Sequence, residues 1–357
     1  MRIISRYSSL TLDGLRILAA LVVFIFHLYK HWGFSTIVLS QVAHMAVVIF
    51  FALSGFVIAY TTSNKNRGAA QYFQARFSRL YSIVLPSLII GLGCELIIKY
   101  TDPTVYSEIF RNAMFPRYII SSLFLNEIWF LSAAPPILNP LWSLSYEFWY
   151  YMVFGAWFYR NKDKNLKSYL ILLISILIAG PKILIMMPIW LMGYAAYHIT
   201  PPKLSIPKSI ILVLFSLLVA LYIAIYFSGV PMTLGTSPLY FASQFVSDWI
   251  IGFAISVALW LLPQEEKSKS EFTWTSKFRK VADLTFPLYV LHNPLIILWD
   301  SMFGKNIKTI SNLQLPLLAI LIVCLSIGYI LEQQRTIWIK IFNYAFFLPK
   351  KLKNYEH

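Results

Sequence analysis

Long apolar runs alternate with short polar or basic segments along this sequence. A helix that crosses a bilayer needs about 20 mainly apolar residues. Counting such runs predicts about ten spans and therefore an all-α, polytopic integral membrane bundle. The predicted spans cover residues 12–31, 42–61, 80–98, 141–159, 168–181, 183–199, 209–228, 238–262, 284–303 and 314–331.

Two features of these runs are irregular. The fifth span is short, and Pro181 and Lys182 predict a tight joint between it and the sixth. The segment 118–132 is also apolar, but Asn126 and Glu127 interrupt it. It is therefore predicted to be interfacial or re-entrant rather than spanning.

The composition supports a membrane protein. The 357 residues are 58% hydrophobic and 13% charged, with a mean hydropathy of +0.66. Soluble domains are about half apolar and about a quarter charged. A net charge of +15 would suggest nucleic acid in a soluble protein. Here the cations lie mainly between apolar runs, so we expect a lipid bilayer and no nucleic acid as the partner.

The distribution of these cations predicts the orientation. With the N-terminus inside, 22 of the 30 Lys and Arg residues fall in internal segments and 6 in external ones. Positive residues concentrate on the cytoplasmic side of membrane proteins. Both termini are therefore expected in the cytoplasm. We divide the chain into a membrane-embedded domain, 1–335, and a basic cytoplasmic tail, 336–357.

Cysteine and histidine spacing argues against a metal site. Cys94 and Cys324 both lie in apolar runs, which makes a disulfide framework or a cysteine-ligated metal unexpected. His27 and His31 have the i, i+4 spacing of metal ligands, but no carboxylate or cysteine is near them in sequence. His44 begins the second span at the predicted external rim and is a further candidate site residue.

Ionisable residues inside an apolar span indicate a functional site, because lipid disfavours charge. Arg16 and His27 are eleven residues apart in the first span, which places them on nearly the same side of a helix and about 16 Å apart. Asp13 precedes Arg16 by three residues, a spacing that predicts an ion pair. The alternative for any one of them is a structural hydrogen bond or a span boundary shifted by a few positions.

Two arginines begin the third span. Arg76 and Arg79, at i and i+3, share one face of a helix. The simpler interpretation is a pair of boundary cations. The alternative is a phosphate clamp, because arginine presents a planar fork of donors to anions. Arg16 is predicted at the same depth, so three guanidinium groups would gather at the cytoplasmic mouth.

The fourth span carries a carboxylate. Glu147 lies six residues past Leu141, about 9 Å down the helix, close to the predicted depth of His27. A carboxylate and an imidazole at one level can hydrogen-bond to each other or hold a substrate hydroxyl. The alternative is that Tyr or Ser hydroxyls of its own surroundings satisfy Glu147.

Other polar residues in spans are candidates for lining a cavity. For Ser54, which precedes Gly55, close helix packing is the favoured interpretation. His292 lies near mid-span between two prolines, and it either lines the cavity or bonds to a backbone carbonyl. The aromatic run "WSLSYEFWYY" suits sugar stacking, although aromatic belts at membrane interfaces explain it as well. The cavity-lining candidates are Asp13, Ser54, Trp142, Ser145 and His292.

These motifs occur together in one known family. The segments "LDGLRILAALVVFIFH", "FFALSGFVIAY", "RFSRLYSIVLP", "LWSLSYEFWYY" and "LYVLHNP" follow one another in the order seen in the membrane acyltransferase-3 family. The resemblance runs from about Leu12 to Pro294. It implies a membrane-bound O-acyltransferase of the bacterial cytoplasmic (inner) membrane. Such enzymes commonly move acetyl from cytoplasmic acetyl-CoA, a co-substrate rather than a bound cofactor, to a hydroxyl of O-antigen lipopolysaccharide, capsule or exopolysaccharide.

The resemblance also assigns residue roles. The essential histidine of the family falls on His27, its first-span arginine on Arg16, its Arg-x-x-Arg motif on Arg76 and Arg79, and its fourth-span glutamate on Glu147. This sequence departs from the family at 46–48, where many members have Gly-Val-Asp and this chain has Ala-Val-Val. No role can be transferred for the missing acid.

The residues and the resemblance together predict a mechanism. The arginines would hold the phosphates of acyl-CoA. His27 would act as general base on a sugar hydroxyl, or would carry the acyl group transiently. Glu147 would orient the imidazole. Two other classes remain: a proton-coupled secondary transporter, although no inverted repeat is visible, and a flippase for lipid-linked sugars or a membrane scaffold.

Overall fold

The computed structural model describes residues 5–64, 68–160, 166–263, 273–304 and 307–352. Within these ranges the regular structure is helical and contains no strand, which confirms the all-α prediction. The described α-helices are α1 Arg6–His31, α2 Ile37–Asn64, α3 Ala69–Thr101, α4 Pro103–Ile109, α5 Met114–Ser122, α6 Leu141–Tyr159, α7 Leu166–His198, α8 Ile206–Tyr226, α9 Phe245–Trp260, α10 Thr273–Asp283, α11 Thr285–Phe303 and α12 Gln314–Leu352.

Several of these helices can cross a bilayer. Among the described residues, seven helical segments are long and apolar enough to do so. They are α1, α2, α3, α7, α8, α12 and the segment Lys277–Phe303 that contains α11. The helix α9 is apolar but has only 16 residues. These helices indicate a multi-pass membrane protein. They do not confirm the predicted count of ten, and the orientation stays a prediction.

Two helices begin or end at other residues than the predicted spans. The eighth span was expected from residue 238, but a 3-10 turn occupies Tyr240–Ala242 and α9 begins only at Phe245. The last span was expected to end at 331, but α12 continues to Leu352. A helix keeps its backbone hydrogen bonds after the side chains turn polar, so hydropathy locates the apolar part of a helix rather than its end.

A break inside α7 divides it. Gly180 has φ 73° and ψ 176°, which is not helical. A Cβ atom there would lie 2.7 Å from the backbone of Trp129, so only glycine fits. The joint predicted at Pro181 and Lys182 is therefore present. The chain also separates here into two compact units, unit 1 (Met1–Lys65 and Pro181–Thr285) and unit 2 (Asn66–Gly180 and Phe286–His357).

Unit 1 is built around α2. The helices α1, α8 and α9 all pack on α2, while α8 also packs on α9 and α10 packs on α1. Close contact between α2 and the second half of α7 depends on glycine. A Cβ on Gly55 would lie 1.9 Å from the carbonyl oxygen of Trp190, and a Cβ on Gly193 would lie 2.0 Å from that of Ala52. The packing interpretation of Gly55 is therefore confirmed.

Unit 2 is built around α3. The helices α4, α5, α6 and α12 all pack on it. Aromatic rings fill the contact between α3 and the C-terminal half of α12. Phe77 lies 5.6 Å from Phe342, and Tyr81 stacks 6.5 Å from Trp338, measured between ring centroids. The end of α12, predicted to be a polar tail, thus packs along the helix that carries Arg76.

The segment 118–132 enters the interior of unit 2. It consists of the end of α5 followed by turns. Phe124 is buried and stacks on Phe148 with ring centroids 4.5 Å apart. Its carbonyl oxygen accepts hydrogen bonds from Ser145 Oγ (2.7 Å) and Trp149 Nε1 (2.9 Å). Protein therefore surrounds this non-helical backbone and satisfies its carbonyl oxygen. The interfacial or re-entrant position of the segment stays a prediction.

Candidate active site

The first helix places His27 one turn before its end. The imidazole is half-buried, and its Nδ1 lies 2.9 Å from the carbonyl oxygen of Val23. A carbonyl can only accept, so Nδ1 carries the proton and Nε2 is the basic nitrogen of the neutral ring. The backbone of α1 therefore holds His27 in the tautomer that a general base or a nucleophile at Nε2 requires.

The opposite end of α1 carries a cluster of charges. Arg16 Nη1 lies 3.4 Å from Asp13 Oδ1, as the spacing predicted. Arg279 on α10 approaches the same carboxylate, with Nε 3.9 Å from Oδ2, and donates from Nη2 to Ser9 Oγ at 3.0 Å. Asp13 thus holds two guanidinium groups side by side at this end of unit 1.

In unit 2, Tyr151 connects two of the predicted site residues. Its hydroxyl donates a hydrogen bond to Glu147 Oε1, one turn earlier on α6. The guanidinium group of Arg76 lies over its ring, 5.8 Å from the centroid. Tyr72 donates to the backbone oxygen of Tyr151 at 3.2 Å and fixes this part of α6 against α3. The sequence predicted Glu147 near the depth of His27 and Arg76 at the cytoplasmic mouth. In the structure both residues contact Tyr151.

The Arg76 side chain has unused donor capacity. Its Nε is buried and has no hydrogen-bond partner among the described residues. Arg79 follows one turn later on the same face of α3. A buried guanidinium donor favours an anion as partner. This arrangement can therefore bind an anionic group next to Tyr151 and Glu147.

The other predicted residues make structural contacts. Ser54 Oγ accepts from Trp190 Nε1 at 3.2 Å. Ser145 is buried against Phe124, and Trp142 is buried edge-on to Tyr146. His292 is fully buried, with Nδ1 2.9 Å from the carbonyl oxygen of Leu288, so the backbone-bond alternative is present. A role of these residues in lining a cavity stays a prediction.

Predicted residues of the site belong to both units. His27 and Arg16 lie in unit 1, and Arg76, Arg79 and Glu147 lie in unit 2. The structure brings Arg76 and Glu147 together through Tyr151 and brings Arg16 together with Asp13. The predicted pairing of His27 with Glu147 stays a prediction.

Sequence reasoning missed three buried or paired ionisable residues. Asp248 on α9 bonds to His44, and Glu95 on α3 accepts from Tyr118 at 2.8 Å. Burial and the neighbouring Glu95 carboxylate raise the pKa of the Tyr118 hydroxyl, which therefore remains a donor. Both acids lie inside predicted apolar spans, the same signal that selected Glu147. Arg279 gave no comparable signal, because it lies in a polar segment.

Metal ligation has no support in these contacts. In the ranges that the structure covers, no three His, Cys, Asp or Glu side chains are grouped so that they could hold a metal ion.

Comparison with known proteins identifies the family. A family model described as an acyltransferase domain, Acyl_transf_3, matches residues 10–331. Acyltransferase MdmB of Streptomyces mycarofaciens is 29% identical over 155 residues, 42% of this chain and 38% of that protein. Peptidoglycan O-acetyltransferase OatA of Listeria monocytogenes is 28% identical over 155 residues, 41% of this chain and 23% of that protein.

A third relative is matched over more of its length. Protein 2 in picA locus of Rhizobium radiobacter is 31% identical over 166 residues, 43% of this chain and 84% of that protein. The chain spans less than half the length of MdmB and OatA. No solved structure matches the chain. Because the family model covers most of the sequence, this protein belongs to the acyltransferase-3 family, as the order of its motifs predicted.

Proposed function

We propose that this protein is a membrane-bound O-acyltransferase that moves an acyl group, acetyl above all, from acyl-CoA to a hydroxyl of a cell-surface glycan. The observation that carries the proposal is the family match over residues 10–331 of a chain with several membrane-crossing helices. The similarity to the peptidoglycan O-acetyltransferase of Listeria monocytogenes supports acetyl as the group and a glycan as the acceptor. The glycan is polymeric or lipid-linked, as in O-antigen, capsule or exopolysaccharide synthesis.

The reaction needs a base for the attacking hydroxyl. The hydroxyl oxygen forms a C–O bond with the thioester carbonyl, the C–S bond breaks, and the hydroxyl proton ends on the thiol of free CoA. His27 Nε2 takes this proton as the oxygen attacks, and an imidazole is suited to this because its ordinary pKa lies near neutral pH. The bond from Nδ1 to Val23 supports this role, since it keeps the lone pair on Nε2.

The arginines bind the donor. CoA carries phosphate groups, and guanidinium forks bind phosphate through charge-assisted, bidentate hydrogen bonds. Arg76, with its unpartnered buried Nε, and Arg79 supply such donors in unit 2. Arg16 of unit 1 stays a predicted third donor. CoA is a cytoplasmic metabolite, so this function assigns the protein to the bacterial cytoplasmic membrane with these arginines facing inward, in agreement with the charge distribution.

The direct test uses purified protein in lipid nanodiscs. With acetyl-CoA and a polysaccharide or lipid-linked sugar, we expect release of free thiol together with a mass increase of one acetyl group on the glycan. A transporter, flippase or scaffold would not consume the thioester. Absence of thiol release across a panel of glycans, with folded protein shown by size exclusion, would overturn the proposal.

Replacing Arg76 with alanine is expected to raise the KM for acyl-CoA about 10- to 100-fold, the equivalent of losing one or two charged hydrogen bonds. The KM for the glycan should stay nearly unchanged. Initial rates at varied acyl-CoA measure the effect. Arg160→Ala is a matched control, because Arg160 also lies over a ring, 5.1 Å from that of Trp157, and lies outside the predicted clamp. Equal effects of the two variants would contradict the clamp.

Glu147→Gln and Tyr151→Phe separate chemistry from packing. Tyr151→Phe removes the hydrogen bond between these residues, whereas Glu147→Gln keeps an oxygen acceptor for it and removes the negative charge. If the carboxylate charge supports the transition state, Glu147→Gln lowers kcat about 100-fold and Tyr151→Phe lowers it much less. Single-turnover rates and thermal unfolding would be measured together. Equal losses of rate that follow equal losses of stability would assign Glu147 a packing role only.

A further inference from the structure

One end of unit 1 contains a group of polar side chains that the proposed mechanism does not use. Gln41 and His44 come from the first turns of α2, and Gln244 and Asp248 come from the start of α9. We call these four residues the Gln244 cluster. Its members come from two helices that pack on each other within unit 1.

Hydrogen bonds connect the cluster from its rim to its interior. Gln244 Nε2 donates to Gln41 Oε1 at 3.1 Å and to Asp248 Oδ1 at 3.2 Å. The other oxygen of that carboxylate, Oδ2, lies 3.0 Å from His44 Nε2. Gln41 is half-exposed, whereas His44, Gln244 and Asp248 are buried. The polar path therefore leads from the surface of unit 1 to a buried imidazole–carboxylate pair.

The arrangement leaves one acceptor unsatisfied. Both acceptors around Gln244 Nε2 are oxygens, so the amide is oriented with Nε2 towards them and Oε1 away from them. Gln244 Oε1 is buried and has no hydrogen-bond donor among the described residues. A buried carbonyl oxygen without a donor is costly. The bond between His44 and Asp248 is enough to join α2 to α9. A purely structural role of the cluster therefore does not explain why the Gln244 amide is buried with its oxygen unsatisfied.

The cluster lies at the same end of unit 1 as His27. Residues 32–36 connect α1 to α2, so the end of α1 and the start of α2 are neighbours. His27 is four residues from the end of α1, and His44 is seven residues past the start of α2. At 1.5 Å per residue, His27 lies about 6 Å from the end of α1 and His44 lies about 10 Å from the start of α2. The charge distribution predicts that this end is external.

The loop before α9 is hydrogen-bonded to the first turn of that helix. Ser247 Oγ donates to the carbonyl oxygen of Phe227 at 2.8 Å and accepts from the backbone N–H of Val230 at 3.1 Å. Lys182 is buried under the same loop, with Nζ 5.5 Å from the ring centroid of Tyr240. The interior of this end of unit 1 is therefore polar and hydrogen-bonded.

We propose that the Gln244 cluster is a subsite for the hydroxyl groups of the glycan acceptor. A sugar hydroxyl donates to Gln244 Oε1, and the Gln41 amide at the rim contacts a neighbouring hydroxyl. His44 and Asp248 are positioning residues that hold the Gln244 amide in orientation. The ligand class follows from the proposed acceptor, because an amide oxygen accepts the hydrogen bond that a sugar hydroxyl donates. This inference rests on the proposed acyl transfer.

The test is Gln244→Met, which removes the amide at nearly constant volume. With purified protein in nanodiscs and acetyl-CoA, we expect the KM for the glycan to rise about 10-fold and the KM for acetyl-CoA to stay close to wild type. Ser247→Ala is the matched control, because Ser247 lies in the same turn of α9 and serves only the loop. It should lower thermal stability without a selective change in the KM for the glycan.

Three outcomes separate the possibilities. A selective rise in the KM for the glycan supports the subsite. Wild-type KM values in Gln244→Met, with transfer intact, would overturn the subsite and leave the proposed function standing, and the oxygen would then be satisfied by water. Absence of transfer in the wild type would instead overturn the function. If Gln244→Met cannot be purified folded, Gln41→Ala at the half-exposed rim decides, with about a 3-fold rise in the same KM expected.

Discussion

Alanine in place of His27 is expected to lower kcat by about 10³-fold, within the range that one general acid–base group supplies. The reason lies in the position of the proton. The Val23 carbonyl holds it on Nδ1, so Nε2 is the atom that would accept the hydroxyl proton. Thiol release from acetyl-CoA and acetylation of the glycan, measured on purified protein, should fall together. Thermal unfolding close to wild type would show that the loss is chemical.

The matched control for this variant is His31→Ala. His31 lies one turn later on the same helix, at its end, where its ring contacts Trp32 edge-on with centroids 4.9 Å apart. Its removal should change the rate about 2-fold at most, since a residue at the helix end is not placed to act on the same proton. Turnover near wild type in His27→Ala, with folded protein, would remove the imidazole from the chemistry.

The part of the site that could be predicted is the part that depends on local spacing. Asp13 and Arg16 are three residues apart, and a helix alone brings them together. The contact between Glu147 and Tyr151 is also local, at i and i+4, and the sequence contained it as the alternative to a pairing with His27. Helix periodicity shows that Glu147 can reach Tyr151. It could not decide between this contact and the predicted pairing of Glu147 with His27.

Contacts between helices that are distant in sequence could not be predicted from local spacing. His44 and Asp248 are separated by 204 positions, and only the packing of α2 on α9 brings them together. The contact of Arg279 with Asp13 likewise depends on α10 lying against α1. The rule that a charged residue in an apolar span indicates a site would have selected Asp248 and Glu95 had it been applied to every span.

Helix ends were predicted less well than helix existence, for a physical reason. Hydropathy reports where side chains prefer lipid, and α12 continues as a helix beyond that region because its aromatic residues pack on Phe77 and Tyr81. The joint at Pro181 was visible because proline restricts the residue before it. The choice of Gly180 as the break depends on the backbone of Trp129, which lies 51 positions earlier.

Gly55→Ala is expected to lower the thermal stability, because Gly55 lies where α2 packs closely on α7. The new Cβ would lie 1.9 Å from the backbone oxygen of Trp190, where an ordinary contact needs more than 3 Å, so the two helices must separate. Overpacking of this kind costs about 1–3 kcal/mol, which corresponds to a decrease in Tm of about 1–4 °C for a chain of this size. Thermal unfolding in nanodiscs, followed by size exclusion, measures it. Gly193→Ala, which faces the backbone of Ala52 at 2.0 Å, should behave in the same way.

Gly14→Ala is the matched control, because a Cβ at Gly14 in α1 meets no atom within 4 Å. Alanine is the better helix former by about 1 kcal/mol, so this variant should keep or slightly raise the Tm. The contrast separates a loss of close helix contact from a general effect of removing glycine. If Gly55→Ala and Gly14→Ala unfolded at the same temperature, α2 and α7 would not be in backbone contact. The arrangement of unit 1 that holds His44 against Asp248 would then lose its support, since α2 is the helix on which α1, α8 and α9 pack.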